Sequence, residues 1–383
     1  MRLQTQKTMI LRILEGTILE NLNKGKIIHV PGPRQVGKTT LLKKIATESE
    51  HSVLWLNGDE ADVRIIFSNA TSSKIKNIIG KNDLVIIDEA QRISNIGISL
   101  KLLIDNFPDI NVIATGSSAF ELANHISEPL TGRKTELFLF PLSFQEMASH
   151  SGLQEERRML EHRIIYGYYP EVITSPGNEK ETLQRLTDAY LYKDILSFER
   201  VKKTSLIEKL LRALALQLGN QVSYHELGQI IGADNQTVER YVNLLEQAYI
   251  VFSLTSLSRN LRNELKKSRK IYFYDNGIRN ALIRNFNPLE LRQDTGILWE
   301  NFLISERLKA TGYKKMWMNR YFWRTLAQQE IDYIEEYDGK FYAYEFKWSE
   351  KVKAKISKTF INAYPDSDVK IISKNNFEGF LII

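Results

Sequence analysis

The sequence predicts an α/β fold whose first part is a parallel sheet with helices on both faces. Three observations carry that prediction. Short apolar runs alternate with helically spaced segments across about residues 25–140. A glycine-rich loop joins one of these runs to a helix. Late in the chain, two strand-like runs carry acidic and basic residues at alternating positions.

The first run, Lys26 to Val30 (KIIHV), suits a buried parallel strand. The segment Gly32-Pro33-Arg34-Gln35-Val36-Gly37-Lys38-Thr39 follows, and it fits G-x-x-x-x-G-K-[ST] without a mismatch. Thr40 to Ala46 then has helical apolar spacing. Strand, loop and helix are the context that a phosphate-binding P-loop requires. Its glycines let the backbone curl so that N–H groups point at phosphate oxygens. The helix N-terminus adds partial positive charge. Gly32 through Thr40 are the expected nucleotide-binding residues. Lys38 is expected to reach the β- and γ-phosphates and Thr39 to ligate Mg²⁺, so ATP and Mg²⁺ are the implied cofactors.

Leu84 to Ile87 (LVII) reads as a second buried strand ending in Asp88-Glu89, the Walker B pattern. Asp88 is expected to hold Mg²⁺, directly or through water. Glu89 is expected to polarise the attacking water, which points to hydrolysis. Asn111 to Ala114 (NVIA) leads into Thr115-Gly116-Ser117-Ser118, where Thr115 and Ser117 are candidates for sensing the γ-phosphate or the water. Val53 to Leu56 (VLWL) supplies a further strand, followed by Asn57-Gly58-Asp59. In such sheets ligands bind at the carboxyl ends of the strands.

The motifs GPRQVGKTTL, LVIIDEAQRI, ATGSSAFEL, LTGRKTELFLFPLSFQEM and GYYPEV occur in that order. Together they resemble a widespread family of bacterial and archaeal AAA-type ATPases with a C-terminal domain of nuclease-like fold. The resemblance covers nearly the whole chain and implies architecture more than cellular role. It also implies an arginine that stabilises γ-phosphate charge in the transition state. Arg133, in Thr131-Gly132-Arg133, looks like the family's Gly-Arg position, acting in cis or in a neighbouring subunit. The other reading is a surface arginine at a strand entry. Arg92, just past Asp88-Glu89, is a second candidate.

Four segments follow from these readings: an ATPase core over 1–140, a helical lid over 141–204, a winged-helix module over 205–268 and a nuclease-like domain over 269–383. LSFQEM, EERRMLEHRIIYG and LQRLTDAYLYKDILSF have helical spacing, broken by a turn at Gly167-Tyr168-Tyr169-Pro170. LIEKLLRALALQLG and VSYHELGQIIG read as helices, the second with Ser223 and Glu226 as a capping box. QTVERYVNLLEQAYIVFSL is a third helix running into a strand, which completes a winged helix-turn-helix layout supported by the resemblance. Such a third helix can enter a DNA major groove. Asn235, Gln236 and Arg240 are suited to bases, whereas Glu239 opposes phosphate. An interdomain scaffold is the alternative. The basic run Arg259 to Lys270 reads as a phosphate-contacting wing or as a solvated loop.

In the last segment, IYFYDNGIRNALI reads as strand then helix, with Asp275 as the cap. ILWENFLISERLKATG is an amphipathic helix carrying Glu300, and MWMNRYFWR a strand. Glu330 to Glu335 is a strand holding Asp332, Asp338-Gly339 is a hairpin turn, and FYAYEFKW is a strand holding Glu345 and Lys347. This ordered set resembles the PD-(D/E)xK core, a restriction-endonuclease-like α/β domain. Asp332 and Glu345 would bind Mg²⁺ or Mn²⁺ with Glu300 assisting, and Lys347 would orient or deprotonate the water. Lys351, Lys353, Lys355 and Lys358 would draw in a phosphate backbone. The alternatives are a salt-bridge network in a non-catalytic domain of this fold, or a chance pattern.

Composition narrows the classes. There is no cysteine among the 383 residues, which excludes disulfides, thiolate metal sites and cysteine nucleophiles. No apolar run approaches the length of a transmembrane helix, and MRLQTQKTMILRILEG lacks a signal-peptide core, so the expected location is cytoplasmic, with no membrane partner. A net charge of +6 permits contact with nucleic acid without demanding it. Two functions stand: an ATP-driven enzyme acting on DNA or RNA, and a nucleotide-dependent regulatory switch whose C-terminal domain only binds a partner. A homo-oligomer or a protein partner fits either.

Overall fold

The computed structural model describes residues 9–68, 70–116, 130–188, 204–257, 269–325, 327–349 and 357–383. The chain divides into two compact units, one running to Met159 and one starting at Leu160. The helices expected as a single lid fall in both: Phe144–Ser151 and Leu153–Arg158 in the first, Leu160–Tyr166 and those after it in the second.

The first unit is built on a parallel five-stranded sheet of order β2-β3-β4-β1-β5. Its strands are β1 (Ile27–Pro31), β2 (Val53–Asn57), β3 (Leu84–Asp88), β4 (Asn111–Gly116) and β5 (Lys134–Glu136). β1, β3 and β4 are buried at every position, as expected of strands covered on both faces. Their apolar runs therefore read as continuous rather than alternating. Val85, Ile87, Val112 and Ala114 form one face of the core with Phe67, Ile75, Leu100 and Leu103. Each of these valine, isoleucine, leucine and phenylalanine side chains, fully buried, contributes about 1.5–3 kcal/mol.

The second unit holds a seven-stranded mixed sheet of order β12-β11-β10-β9-β7-β8-β6. The strands are β6 (Gln221–Val222), β7 (Val251–Ser256), β8 (Arg269–Phe273), β9 (Asn319–Arg324), β10 (Glu330–Tyr337), β11 (Lys340–Phe346) and β12 (Asp368–Ile372). β6, β8 and β7 pair antiparallel, and β7 joins β9 in parallel. Strands before and after residue 300 thus share one sheet. Asp338 and Gly339 both have positive φ, 50° and 73°, and turn β10 into β11.

Two local expectations are corrected. Ser223 does cap the helix Tyr224–Ile231, accepting from the Glu226 N–H at 3.4 Å. The reciprocal half is not formed, because the Glu226 carboxylate accepts from Gln217 instead. The helix Thr295–Tyr313 is not amphipathic: its buried residues extend all round it, from Leu298 to Tyr313. Its polar groups are matched inside. Arg307 makes a bidentate pair with Glu335 at 2.8 Å for both nitrogens, and Asn301 bonds both the N–H and the carbonyl of Phe273. At the start of this helix Asp294 lies between Arg279 (2.5 Å) and Arg292 (2.8 Å). Among the described residues no helix is long and apolar enough to cross a membrane.

Candidate nucleotide site

The in-register parallel strands bring three loops to one edge of the first sheet. Val30 pairs with Thr115 and Pro31 with Gly116, while Ile87 pairs with Ala114. The P-loop, Asp88-Glu89 and Thr115 therefore emerge side by side at the carboxyl ends. Gly32 turns away from β1 under the backbone of Leu139, where a Cβ would meet the Leu139 carbonyl oxygen at 2.2 Å. Gly32, Pro33 and Val36 are buried, Arg34 is half-buried, and Gln35 and Thr40 are exposed. Gly37, in the left-handed region at φ 94°, admits the chain to the helix Lys38–Glu48.

Lys38, Thr39, Asp88, Glu89 and Thr115 are brought together. The Lys38 ammonium donates to the carbonyls of Gly32 (2.8 Å) and Pro33 (2.7 Å). The Thr39 hydroxyl donates to one Asp88 oxygen at 2.7 Å and the Thr115 hydroxyl to the other at 2.5 Å. Thr115 in turn accepts from the Glu89 N–H at 3.0 Å. Glu89 sits in the left-handed region at φ 52°, its carboxylate accepting from Gln91 at 2.5 Å. Asp88 is thereby fixed at both oxygens next to the Thr39 hydroxyl. These are hard oxygen donors of the type Mg²⁺ takes, and they fit it. Ser117 lies outside the described residues.

One residue of this site escaped the sequence reading. Gly58 donates its N–H to the Asp88 carbonyl at 2.8 Å, and a Cβ on it would meet the Glu89 carbonyl oxygen at 2.3 Å. Only glycine lets the loop after β2 approach this closely. The Asn57-Gly58-Asp59 turn was the available signal.

The guanidinium groups of the two arginine candidates each pair with a carboxylate outside the Thr39–Asp88–Thr115 network. Arg92 pairs with Asp59 at 3.4 Å. The Arg133 carbonyl accepts from the Ile27 N–H at 2.9 Å, at the amino end of β1, and its guanidinium pairs with Asp105 at 2.7 Å. The P-loop follows the other end of β1, about 16 Å away for a five-residue strand. This corrects the cis alternative for Arg133: a parallel strand places its two ends at opposite edges of the sheet. What is seen is a half-exposed arginine at the entry of β5, the other reading offered for it, and a role toward a second copy stays open.

In the second unit, Glu300, Asp332, Glu345 and Lys347 lie in one cluster with two further residues, Lys270 and Glu330; Lys270 and Glu345 are buried and the other four half-buried. Lys270, 2% exposed, sits 3.3 Å from Glu300 and also pairs with Glu330. The Tyr272 hydroxyl donates to Glu300 at 2.5 Å, Lys347 pairs with Glu345 at 3.0 Å, and Asp332 accepts from the Phe346 N–H at 2.8 Å. Burial pushes Glu300 and Glu345 up to about 7, and Asp332 also upward. The expected metal set of Asp332 and Glu345 with Glu300 is not formed. Among the described residues no three acidic or histidine side chains gather as metal ligands. Each of the three carboxylates has a partner in place: Glu300 an ammonium and a hydroxyl, Glu345 an ammonium, and Asp332 a backbone N–H. Lys351, Lys353 and Lys355, and residues 259–268 of the basic run, lie outside the described residues, while Lys358 begins the helix Lys358–Ala363.

Comparison with known proteins agrees with the geometry of the first unit. Residues 24–148 match a family model described as an AAA domain. Residues 157–289 and 295–379 match two models described as domains of unknown function, DUF8612 and DUF4143. An uncharacterized protein of Mycobacterium tuberculosis is 25% identical over 331 residues, which cover 85% of this chain and 71% of that protein. Among solved structures, a chain from a study of katanin self-assembly is 17% identical with a TM-score of 0.24, covering 37% of this chain and 46% of that one. The present chain thus spans about half of its length. Cdc6p from Pyrobaculum aerophilum is 13% identical with a TM-score of 0.26, covering 72% and 92%. At these scores the overall likeness is slight. Over residues 24–148 the first unit is thus similar to AAA domains, and the nature of the second unit is not assigned by its matches.

Proposed function

We propose that this chain is a Mg²⁺-dependent ATPase whose second unit binds a partner without cutting it, so that the two units act as a nucleotide-dependent switch. The observation that carries the first half is the Thr39–Asp88–Thr115 network beside Lys38. Lys38 exchanges the Gly32 and Pro33 carbonyls for phosphate oxygens. Thr39 and Asp88 would hold Mg²⁺, which neutralises phosphate charge when bound. Glu89, anchored through its N–H to Thr115, polarises the attacking water. Any part played by Arg133 lies in a second copy of the chain.

The second half rests on the Lys270 ammonium seated between Glu300 and Glu330. A resident cation there answers the charge that a metal would otherwise meet. The described residues 204–257 and 269–273 give helix, strand, helix, helix, strand and strand, with β6, β8 and β7 antiparallel, which supports reading them as a winged helix. Glu239 is exposed beside Asn235, Gln236 and Arg240, so this module serves as a scaffold rather than a DNA reader.

One observation favours the rival reading, a metal-dependent nuclease: Glu300, Glu330, Asp332 and Glu345 outnumber Lys270 and Lys347. Two assays separate the readings. Phosphate release from ATP is expected with Mg²⁺ and is expected to fall to background when a chelator removes it. Full turnover in chelator would refute the metal-assisted site. Mixed DNA and RNA substrates with Mg²⁺ or Mn²⁺, with or without ATP, are expected to stay intact. Cleavage that disappears in Glu345→Ala would establish the nuclease instead.

A further inference from the structure

A side chain outside the phosphate motif is tied directly into the P-loop. Arg12 precedes the helix Ile13–Glu20, and its side chain is 8% exposed. Its Nη1 donates to the Val36 carbonyl at 2.6 Å and its Nη2 to the Phe140 carbonyl at 2.6 Å. Its Nε donates to Glu146 at 3.0 Å. Glu146 is itself immobilised. It is fully buried and completes the capping box of the helix Phe144–Ser151, accepting from the Ser143 N–H and hydroxyl and from the Ile13 N–H. Three stretches of sequence, around residues 12, 36 and 146, are thus pinned to one guanidinium.

The Val36 carbonyl belongs to the peptide that carries the Gly37 N–H. That unit is planar and trans, so carbonyl and N–H point in opposite directions. By holding the carbonyl, Arg12 turns the Gly37 N–H away from itself. A flipped peptide would set a partially negative oxygen against bound phosphate and withdraw a donor. Arg12 also lies 3.6 Å from where a Cβ of Gly37 would be, so its charge stands close behind the loop.

We propose that Arg12 is a positioning residue that presets the Val36–Gly37 peptide for nucleotide phosphate, with Glu146 holding it in place. This rests on the ATPase reading given above. A loop donor binds phosphate in the ground state and the transition state alike, so its loss is a uniform loss of binding. KM rises and kcat holds. A purely structural role behaves differently, since less folded enzyme lowers apparent kcat and leaves KM unchanged.

The test compares wild type, Arg12→Ala, Arg12→Lys and Glu146→Gln as full chains, by steady-state ATP hydrolysis and by equilibrium dialysis of MgADP. Arg12→Ala is expected to raise KM for ATP and Kd for MgADP by about 10- to 100-fold, with kcat within about twofold. Arg12→Lys keeps the charge and reaches fewer acceptors, so it recovers part of the loss and carries the comparison where Arg12→Ala does not fold. Glu146→Gln falls between. An unchanged Kd for MgADP, or kcat falling at constant KM, overturns the proposal. A wild-type chain that binds MgADP in an Arg12-dependent way without turning over ATP refutes the ATPase reading and leaves this one standing. A wild-type chain that binds no MgADP overturns both.

Discussion

Glu89→Gln is expected to keep nucleotide binding and to lower ATP turnover by about 10²- to 10⁴-fold, the usual contribution of a positioned general base. The substitution is close to isosteric. Glu89 is anchored through its backbone, by the N–H donated to the Thr115 hydroxyl at 3.0 Å, and that bond survives the change. The Gln91 side chain, which donates to Glu89 at 2.5 Å, still finds an acceptor on the amide. Thr39, Asp88 and Lys38 are untouched. What disappears is the negative charge that draws a proton from water. Single-turnover hydrolysis with a parallel measurement of MgADP affinity reads the two effects separately. An unchanged turnover would place the base elsewhere. A large loss of affinity would show that Glu89 shapes the loop rather than the chemistry.

The largest expected effect on stability is at Asp294. Its carboxylate lies between Arg279, whose side chain is 4% exposed, and Arg292, whose side chain is wholly buried. Replacing it by alanine leaves two buried guanidinium groups without their shared anion, and breaking buried pairs of this kind costs about 3–5 kcal/mol. Asp294→Asn keeps a hydrogen-bond acceptor but not the charge, so a smaller loss is expected. The two arginines hold the Asp294 carboxyl down at about 2 in the folded chain, against 3.8 ordinarily. A depressed carboxyl stabilises the fold fully above its ordinary value, and the gain is lost as pH falls through the folded value. The wild-type chain therefore loses this contribution between about pH 4 and pH 2. Denaturant melts across that window check it: the wild type should fall more steeply than Asp294→Asn. Parallel curves would show that the pair is not coupled to folding.

How much of this was readable beforehand depended on whether the cause was local. β1, β3 and β4 stood out because strands buried on both faces are apolar at every position. The Gly-x-x-x-x-Gly-Lys-Thr spacing shows itself for a similar reason, since one tight turn imposes it. Other features depend on partners far away in sequence. Arg12 finds Val36, Phe140 and Glu146, which no periodicity links to it. Lys270 looked like the end of a basic surface run and is instead buried against carboxylates. The helix Thr295–Tyr313 looked amphipathic because Glu300, Asn301, Glu306, Arg307 and Lys309 are polar. Partners from other elements for Asn301 and Arg307, and the Glu306–Lys309 pair within the helix itself, let it be buried all round. Of the readings open for Arg133, the strand-entry one matches its place before β5 and the cis one does not, since a Gly-Arg pair reveals nothing about which end of the strands it occupies. The Ser143-x-x-Glu146 spacing forms a complete capping box, whereas the one expected at Ser223 is only half formed.

The central claim is that Lys38 and the groups around it form a working ATP site. Phosphate release from ATP with Mg²⁺, wild type against Lys38→Ala at equal concentration, tests it most directly. Lys38 is buried and its ammonium rests on two P-loop carbonyls, so its removal takes away the cation proposed to meet the β- and γ-phosphates. The account predicts steady turnover by the wild type and background release by the variant, with both proteins folded by circular dichroism. Equal turnover by the two would contradict it.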